Sequence, residues 1–67
     1  MFRGLIGQTV IVNLKGEPAA FRGTLTRRGI FAIRLSDVSV LEPDGRTPTL
    51  EGHVRIPRRS VSWIQEL

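Results

Sequence analysis

The stretch Phe21–Thr26 (FRGTLT) decides how this chain folds. Phe21, Gly23 and Leu25 alternate there with polar residues, which is the period of two that a half-buried β-strand shows. Glycine weakens the interior of a flat strand, so Gly23 predicts a sharp bend at this point. A bent strand in so short a chain favours a small, strongly curved sheet over a flat one.

Similar alternation recurs on both sides of this stretch, and turn residues separate the segments. The predicted strand positions are Val10, Val12 and Leu14; Phe31, Ile33 and Leu35, extended by Val38 and Val40; Val54 and Ile56, ended by Pro57; and Val61, Trp63 and Ile64 within Ser60–Gln65. Turns are expected at 16–18, at 27–29, around Asp44-Gly45 and at 58–59, and residues 2–6 could form a turn or two of helix. The prediction is a single all-β domain over residues 1–67, a five-stranded, strongly bent antiparallel barrel.

The length of 67 residues leaves this domain a marginal core. Small domains usually gain support from disulfides, a metal or oligomerisation. The chain has no Cys and one His, His53, which removes disulfides and a structural zinc site. Oligomerisation is the support that remains.

The formal net charge is +4, and every basic residue except Lys15 is Arg. Such a balance allows contact with nucleic acid, an acidic protein surface or an anionic membrane, and it also suits a plainly solvated surface. The arginine bias is equally typical of a GC-rich coding sequence. No stretch approaches the roughly 18–20 apolar residues of a membrane span, and the N-terminal apolar run is too short for a signal peptide. We therefore expect a soluble protein that is not secreted and does not contact a membrane.

The residue inventory argues against an enzyme, and no metal or cofactor is expected. Ser60 and Ser62 lack the context of a nucleophile elbow, and the glycines are too scattered for a phosphate-binding loop. The acidic residues between 37 and 44 lack the spacing of a calcium loop. His53 stands without a second metal-ligating partner, which favours a structural role.

The strand pattern resembles the Sm and Sm-like (LSm) family over roughly residues 5–65. The similar segments are, in order, 5–15 (LIGQTVIVNLK), Gly23–Leu25 (GTL), Leu35–Asp37 (LSD), and Val54–Val61 (VRIPRRSV) with Ile64 three positions later. These segments consist mostly of glycines and alternating aliphatic residues, and other SH3-like barrels share much of the pattern. The resemblance implies an Sm-like barrel that assembles into rings.

The chain departs from this family at the positions that read RNA. Members that bind RNA carry an Asp and an Asn between the second and third strands, and an Arg-Gly pair after the Ile of the second motif. Here Arg28-Gly29 lies at the Asp position, Ala32 falls near the Asn position, and Pro57 and Arg58 replace the Arg-Gly pair. We therefore expect the family's uracil-reading pocket to be absent.

The resemblance also implies how subunits would associate. Family members pair the fourth strand of one subunit with the fifth strand of the next, by edge-to-edge strand addition that closes a ring. In this chain the paired segments are roughly 52–56 and 60–65, in a homo-oligomer of roughly five to seven subunits. The candidate interface residues are Val54, Ile56, Val61, Trp63 and Ile64.

Four arginines, Arg27, Arg28, Arg58 and Arg59, fall in two predicted turns that the resemblance places together at the central opening of a ring. Closely packed guanidinium groups call for a counter-anion, which a phosphate or the carboxylates of a partner protein would supply. The alternative is that they fan into solvent or pair with acidic residues such as Glu17, Asp37 or Glu66. Trp63 could stack on a base, but an interface role is favoured.

These features favour a non-catalytic, ring-forming assembly module. The absent base-reading residues favour a structural or accessory protein of a phage virion, in the capsid or the head–tail region, docked on a larger protein assembly. The segment Ile56–Gln65 is similar to the ends of small virion-region proteins of tailed phages of actinobacteria, and the arginine bias is consistent with such a high-GC source. The location expected is the virion or the host cytoplasm. The alternative is an Sm-like RNA- or single-stranded-DNA-binding protein with an arginine-lined opening.

Overall fold

The computed structural model describes residues 6–67. Within that range the chain forms five strands, β1 (Thr9–Leu14), β2 (Ala20–Arg28), β3 (Ala32–Leu41), β4 (Thr49–Pro57) and β5 (Val61–Glu66), with a single 3₁₀ turn, Arg58–Ser60, between β4 and β5. All neighbouring strands are antiparallel, in the order β4-β3-β2-β1-β5. This confirms the predicted all-β, five-stranded architecture. The helical turn expected at residues 2–6 lies outside the described residues apart from Ile6.

The predicted bend lies at Gly23 and extends across three strands. A Cβ atom at Gly23 would lie 2.9 Å from the backbone oxygen of Ser36 and 3.1 Å from a methyl group of Val38. The β2–β3 register breaks at this level, between Arg22 and Thr24. The β3–β4 register breaks beside it, where Asp37 and Gly52 have positive φ angles of 52° and 79°. Two adjacent bulges bend the strands sharply, so the sheet curves around its own inner face.

The hydrophobic core lies inside this curve and contains no buried polar or charged side chain among the described residues. Its members are Val10, Val12, Ala20, Leu25, Ile33, Leu35, Val38 and Ile56. Alternation along β3 changes phase at Asp37, so that Leu35 and Val38 both face inward although three positions separate them. The bulge therefore lets both halves of one long strand cover the same core.

Two sequence predictions near the β2–β3 connection are wrong. Arg27 and Arg28 do not form a turn, because β2 continues through Arg28 and the connection is Gly29–Phe31. Phe31 does not share a strand face with Ile33 and Leu35 as predicted, because β3 begins at Ala32 and the Phe31 side chain is 80% exposed. The predicted extension of β3 through Val38 and Val40 is confirmed.

The two end strands of the sheet are β4 and β5, and each pairs with a neighbour on one side only within residues 6–67. The β3–β4 hairpin closes at Asp44-Gly45, where the Asp44 carboxylate accepts hydrogen bonds from the backbone N–H and the guanidinium of Arg46. Among the described residues, no helix is long and apolar enough to cross a membrane.

The close approach at Gly23 predicts that Gly23→Ala lowers the free energy of unfolding by about 1–3 kcal/mol, because the methyl group overlaps backbone that cannot move independently. The measurement is urea unfolding followed by circular dichroism at one fixed protein concentration. Gly45→Asn is the control, since Gly45 has a φ of 91° and open space around it. Asn tolerates this conformation, so the control should lose less than about 1 kcal/mol. Equal stability of Gly23→Ala and the wild type would contradict the packing argument.

Candidate functional site

The connection Gly29–Phe31, called the tip below, is the most exposed apolar feature of the described chain. Ile30 and Phe31 are 81% and 80% exposed. The tip is nevertheless held in place: the Arg58 backbone N–H donates to the Phe31 oxygen at 2.7 Å, and the Arg58 guanidinium donates to the Gly29 oxygen at 3.2 Å. Gly29 N–H also closes the turn onto the Ala32 oxygen at 2.9 Å. An aromatic side chain is thus presented to solvent on an anchored loop.

An open groove of about 510 Å³ runs beside the tip and is called the tip groove. Its lining comprises Ile30, Phe31, Ala32, Arg55, Pro57, Arg58 and Arg59. The 3₁₀ turn after Pro57 brings Arg58 and Arg59 to this groove, and Arg55 reaches it from β4. The groove therefore combines an exposed aromatic ring with three guanidinium groups, which suits a ligand that carries both flat rings and negative charge.

The four predicted arginines do not form one cluster. Arg27 and Arg28 are consecutive residues of β2, and their side chains therefore point to opposite faces of the sheet. Arg27 is exposed on the outer face, whereas Arg28 is half-buried and lines a small inner pocket that Arg58 also reaches. Arg58 and Arg59 lie in the turn predicted for residues 58–59, and both line the tip groove.

Two arginines that the sequence analysis did not select, Arg34 and Arg55, lie beside Arg27. Direct cross-strand pairing joins Arg27 of β2 to Arg34 of β3, and Arg34 to Arg55 of β4. All three side chains are exposed, and they line a second groove of about 380 Å³ that also borders the tip. We call these residues the arginine row. The register between strands could not be read from the alternation pattern, because a bulge precedes Arg27.

The predicted interface residues occupy the two end strands, but their side chains differ in what they offer. Val54, Val61 and Ile64 are half-buried against the core. Ile56 is 3% exposed and belongs to the core itself, so it presents only backbone groups at the edge of β4. Trp63 is 54% exposed on β5, and Leu50 on β4, which the sequence analysis did not select, is also exposed.

Electrostatic contacts in the described part of the chain are few. The single side-chain salt bridge within residues 6–67 joins Arg46 to Asp44 at 2.7 Å. Arg27, Arg58 and Arg59 therefore do not pair with Glu17, Asp37 or Glu66. No group of three His, Asp or Glu side chains able to hold a metal ion occurs over the same range. His53 is exposed on β4, opposite Ser36 of β3.

Neither a protein-family model nor a curated protein sequence matches the chain. Several solved structures, in contrast, match it. A heptameric archaeal Sm protein matches with a TM-score of 0.85 and 22% identity, over 98% of this chain and 94% of that one. An Sm protein of Pyrococcus abyssii, in complex with a uridine heptamer, matches with a TM-score of 0.84 and 25% identity, over 98% and 92% of the two chains.

The chain has the Sm-like fold. A chain of the NatC complex, solved bound to CoA, is similar as well, with a TM-score of 0.85 and 29% identity over 97% of this chain and 82% of that one. The fold predicted from the resemblance is thereby confirmed. The Sm-like barrel thus occurs among these neighbours both in a heptamer and within the NatC complex.

The placement of the tip predicts that Phe31→Ala changes the free energy of unfolding by no more than about 0.5 kcal/mol, because an exposed side chain loses little packing. Ile33→Ala, two residues away, should cost about 2–5 kcal/mol, because Ile33 is 3% exposed in the core. Denaturant unfolding of both variants checks this contrast. A large loss of unfolding free energy in Phe31→Ala would contradict the exposed placement of Phe31.

Proposed function

We propose that this Sm-like chain is a non-catalytic module that assembles edge to edge into a ring and binds single-stranded RNA at the tip groove. The observation that carries the proposal is the anchored, exposed Phe31 with Arg55, Arg58 and Arg59 around it. The heptameric Sm neighbour supports the assembly into a ring. The Sm neighbour in complex with a uridine heptamer supports the binding of RNA.

The end strands supply the argument for a ring. Each of β4 and β5 has a row of backbone N–H and C=O groups without a strand partner on its outer side. Natural proteins blunt such edges with charged residues, Pro or bulges. β4 has charged residues and a bulge at Gly52 but no Pro before its last residue, and β5 has neither Lys nor Pro, so strand addition remains open at both edges. Pairing β4 of one subunit with β5 of the next satisfies both edges, and such a head-to-tail contact closes a ring.

Assembly also covers apolar surface that the small core leaves outside. Leu50 on β4 and Trp63 on β5 are exposed beside the two free edges. A half-exposed Trp at a strand edge is typical of an interface, where its large apolar ring is buried. Ring closure would therefore supply the support that a 67-residue chain without disulfides needs.

The ring proposal predicts that Trp63→Ser shifts the protein from a discrete oligomer toward monomer, because the edge contact loses its largest apolar side chain. Native mass spectrometry over a dilution series measures the shift. Phe31→Ser is the control: it removes the other strongly exposed aromatic ring, which lies at the tip and not at a strand edge, and should leave the mass unchanged. A wild-type protein that is monomeric at all concentrations would contradict the ring.

The tip groove supports single-strand binding by a route that differs from the family's base-reading pocket. Ala32 offers no side-chain hydrogen bond to a base edge, and the family's Arg-Gly pair is replaced by Pro57 and Arg58. Stacking on Phe31 needs no such groups, because every base has a flat face. Guanidinium contacts to phosphate are likewise indifferent to sequence. We therefore expect RNA binding with little sequence preference.

The RNA proposal predicts that Phe31→Ser weakens oligouridylate binding by about 1–3 kcal/mol, or roughly 5- to 150-fold in Kd, through lost stacking. Arg59→Gln should weaken it as well and reduce the salt dependence by about 0.7 in log–log slope, the share of one phosphate contact. Fluorescence anisotropy at several salt concentrations measures both effects. Phe31→Tyr is the control, since it keeps an aromatic ring at the tip and should bind as the wild type does. Unchanged affinity in Phe31→Ser would contradict the assignment of the tip.

A second candidate is a structural subunit of a larger protein assembly, and the chain of the NatC complex is the observation that favours it. In this reading the arginines contact carboxylates of a partner protein instead of phosphates. The likeness of Ile56–Gln65 to virion-region proteins is the support for placing that assembly in a phage particle. A ring that ignores oligouridylate at low salt and co-sediments with a larger particle would favour this candidate over RNA.

A further inference from the structure

The geometry points to a second binding surface: the arginine row, Arg27, Arg34 and Arg55, binds the phosphodiester backbone of a nucleic-acid strand that continues beyond the tip groove. This inference rests on the proposed RNA binding and extends it to the outer face of the sheet. Under this inference, bases stack on the tip and the arginine row binds the phosphates.

The register aligns the three side chains in one direction. Residues directly opposite each other in antiparallel strands point to the same face, and two successive pairs, Arg27–Arg34 and Arg34–Arg55, share Arg34. Neighbouring strands are about 4.8 Å apart, so the row extends about 10 Å across the sheet. Phosphates of a stacked strand repeat about every 3.4 Å along its axis, and about three of them fit that length.

The row is electrostatically unfavourable without a ligand. Like charges directly opposite each other on a sheet repel and destabilise the pairing. Within residues 6–67 none of the three guanidinium groups forms a salt bridge, since the single pair there is Arg46–Asp44. The Arg34 backbone oxygen accepts a hydrogen bond from the Thr26 hydroxyl at 3.2 Å, which ties β3 to β2 at this level, and the Arg34 side chain is exposed. Three aligned cations without a carboxylate form a surface suited to a linear polyanion.

The row continues from the tip groove without a break. Arg55 lines both grooves, and so do Ile30, Phe31 and Ala32, which separate them. A strand with one base stacked on Phe31 therefore has Arg58 and Arg59 beside it in the tip groove and the arginine row beside it in the second groove. This alternation of an aromatic ring with aligned cations favours a nucleic-acid strand over an acidic peptide, which has charge but no flat rings to stack.

The test compares oligouridylates of about 4 and about 12 nucleotides, a range that covers one stacking site and an extended path. Arg27→Gln/Arg34→Gln removes two members of the row and no lining residue of the tip groove. For the longer oligonucleotide, we expect the variant to bind roughly 10-fold more weakly at low salt. Its log–log salt slope should be lower by about 1.4. Binding of the shorter one should be unchanged. Lys15→Gln/Arg22→Gln removes the same charge from exposed positions elsewhere and should behave as wild type.

Each other outcome overturns the inference in a distinguishable way. If both double variants lose affinity equally, the effect is one of net charge and the row is not a site. If the row variant binds the longer oligonucleotide as tightly as the wild type while Phe31→Ser fails to bind it, the tip remains a binding site and the arginine row is not one. If the wild type binds neither oligonucleotide, the proposed RNA binding fails and the row fails with it. If oligoglutamate of equal length displaces the longer oligonucleotide as well as oligouridylate does, the row is a surface for acidic proteins.

Discussion

The close approach of β3 to Gly23 is the constraint on which the rest of the molecule depends. A side chain at this position would overlap the backbone oxygen of Ser36, so the two strands could not cross as tightly. The neighbouring bulges at Asp37 and Gly52 continue the bend across the sheet. Because the strands curve here, a core of eight buried residues is enclosed by a single sheet. A flat sheet of this length would expose one whole apolar face, which no second layer of the described chain could cover.

The strands and the bend could be predicted from sequence because alternation and a strand-interior glycine are local signals. Val10 and Val12 or Leu25 and Leu35 need no long-range information to be assigned to a buried face. The bulges could not be predicted in the same way. Each bulge shifts every later side chain to the other face, and nothing in the sequence around Asp37 indicates that one occurs there. The same difficulty affected Arg27 and Arg28: adjacent basic residues before a glycine are typical of a turn, yet the strand continues through them and separates their side chains.

Phe31 illustrates the other limit of sequence reasoning. Its spacing from Ile33 and Leu35 fits an inward-facing position, and a large aromatic residue usually adds to a core. The connection between β2 and β3 ends one residue later than the pattern indicates, so Phe31 is left outside with Ile30. What holds the tip there is a contact from Arg58, 27 positions along the chain. A contact between residues so far apart in sequence cannot be predicted from the spacing of apolar residues.

The Sm-like fold restricts function less than it restricts shape. The same barrel is found in a heptameric archaeal protein and in a chain of the NatC complex, so the fold alone does not choose between a ring and a mixed assembly. The choice lies in surfaces that the barrel does not need for its own stability. In this chain the surfaces proposed for that role are the outer edges of β4 and β5 and the arginines around the tip. Among the edge residues, Ile56 is buried in the core and Val54, Val61 and Ile64 pack against it, whereas Trp63 is exposed. The arginines around the tip are exposed as well, so the packing of the core does not account for them. The proposed RNA strand would cover the exposed ring of Phe31 and neutralise the guanidinium groups around it, which the folding of the barrel alone does not do.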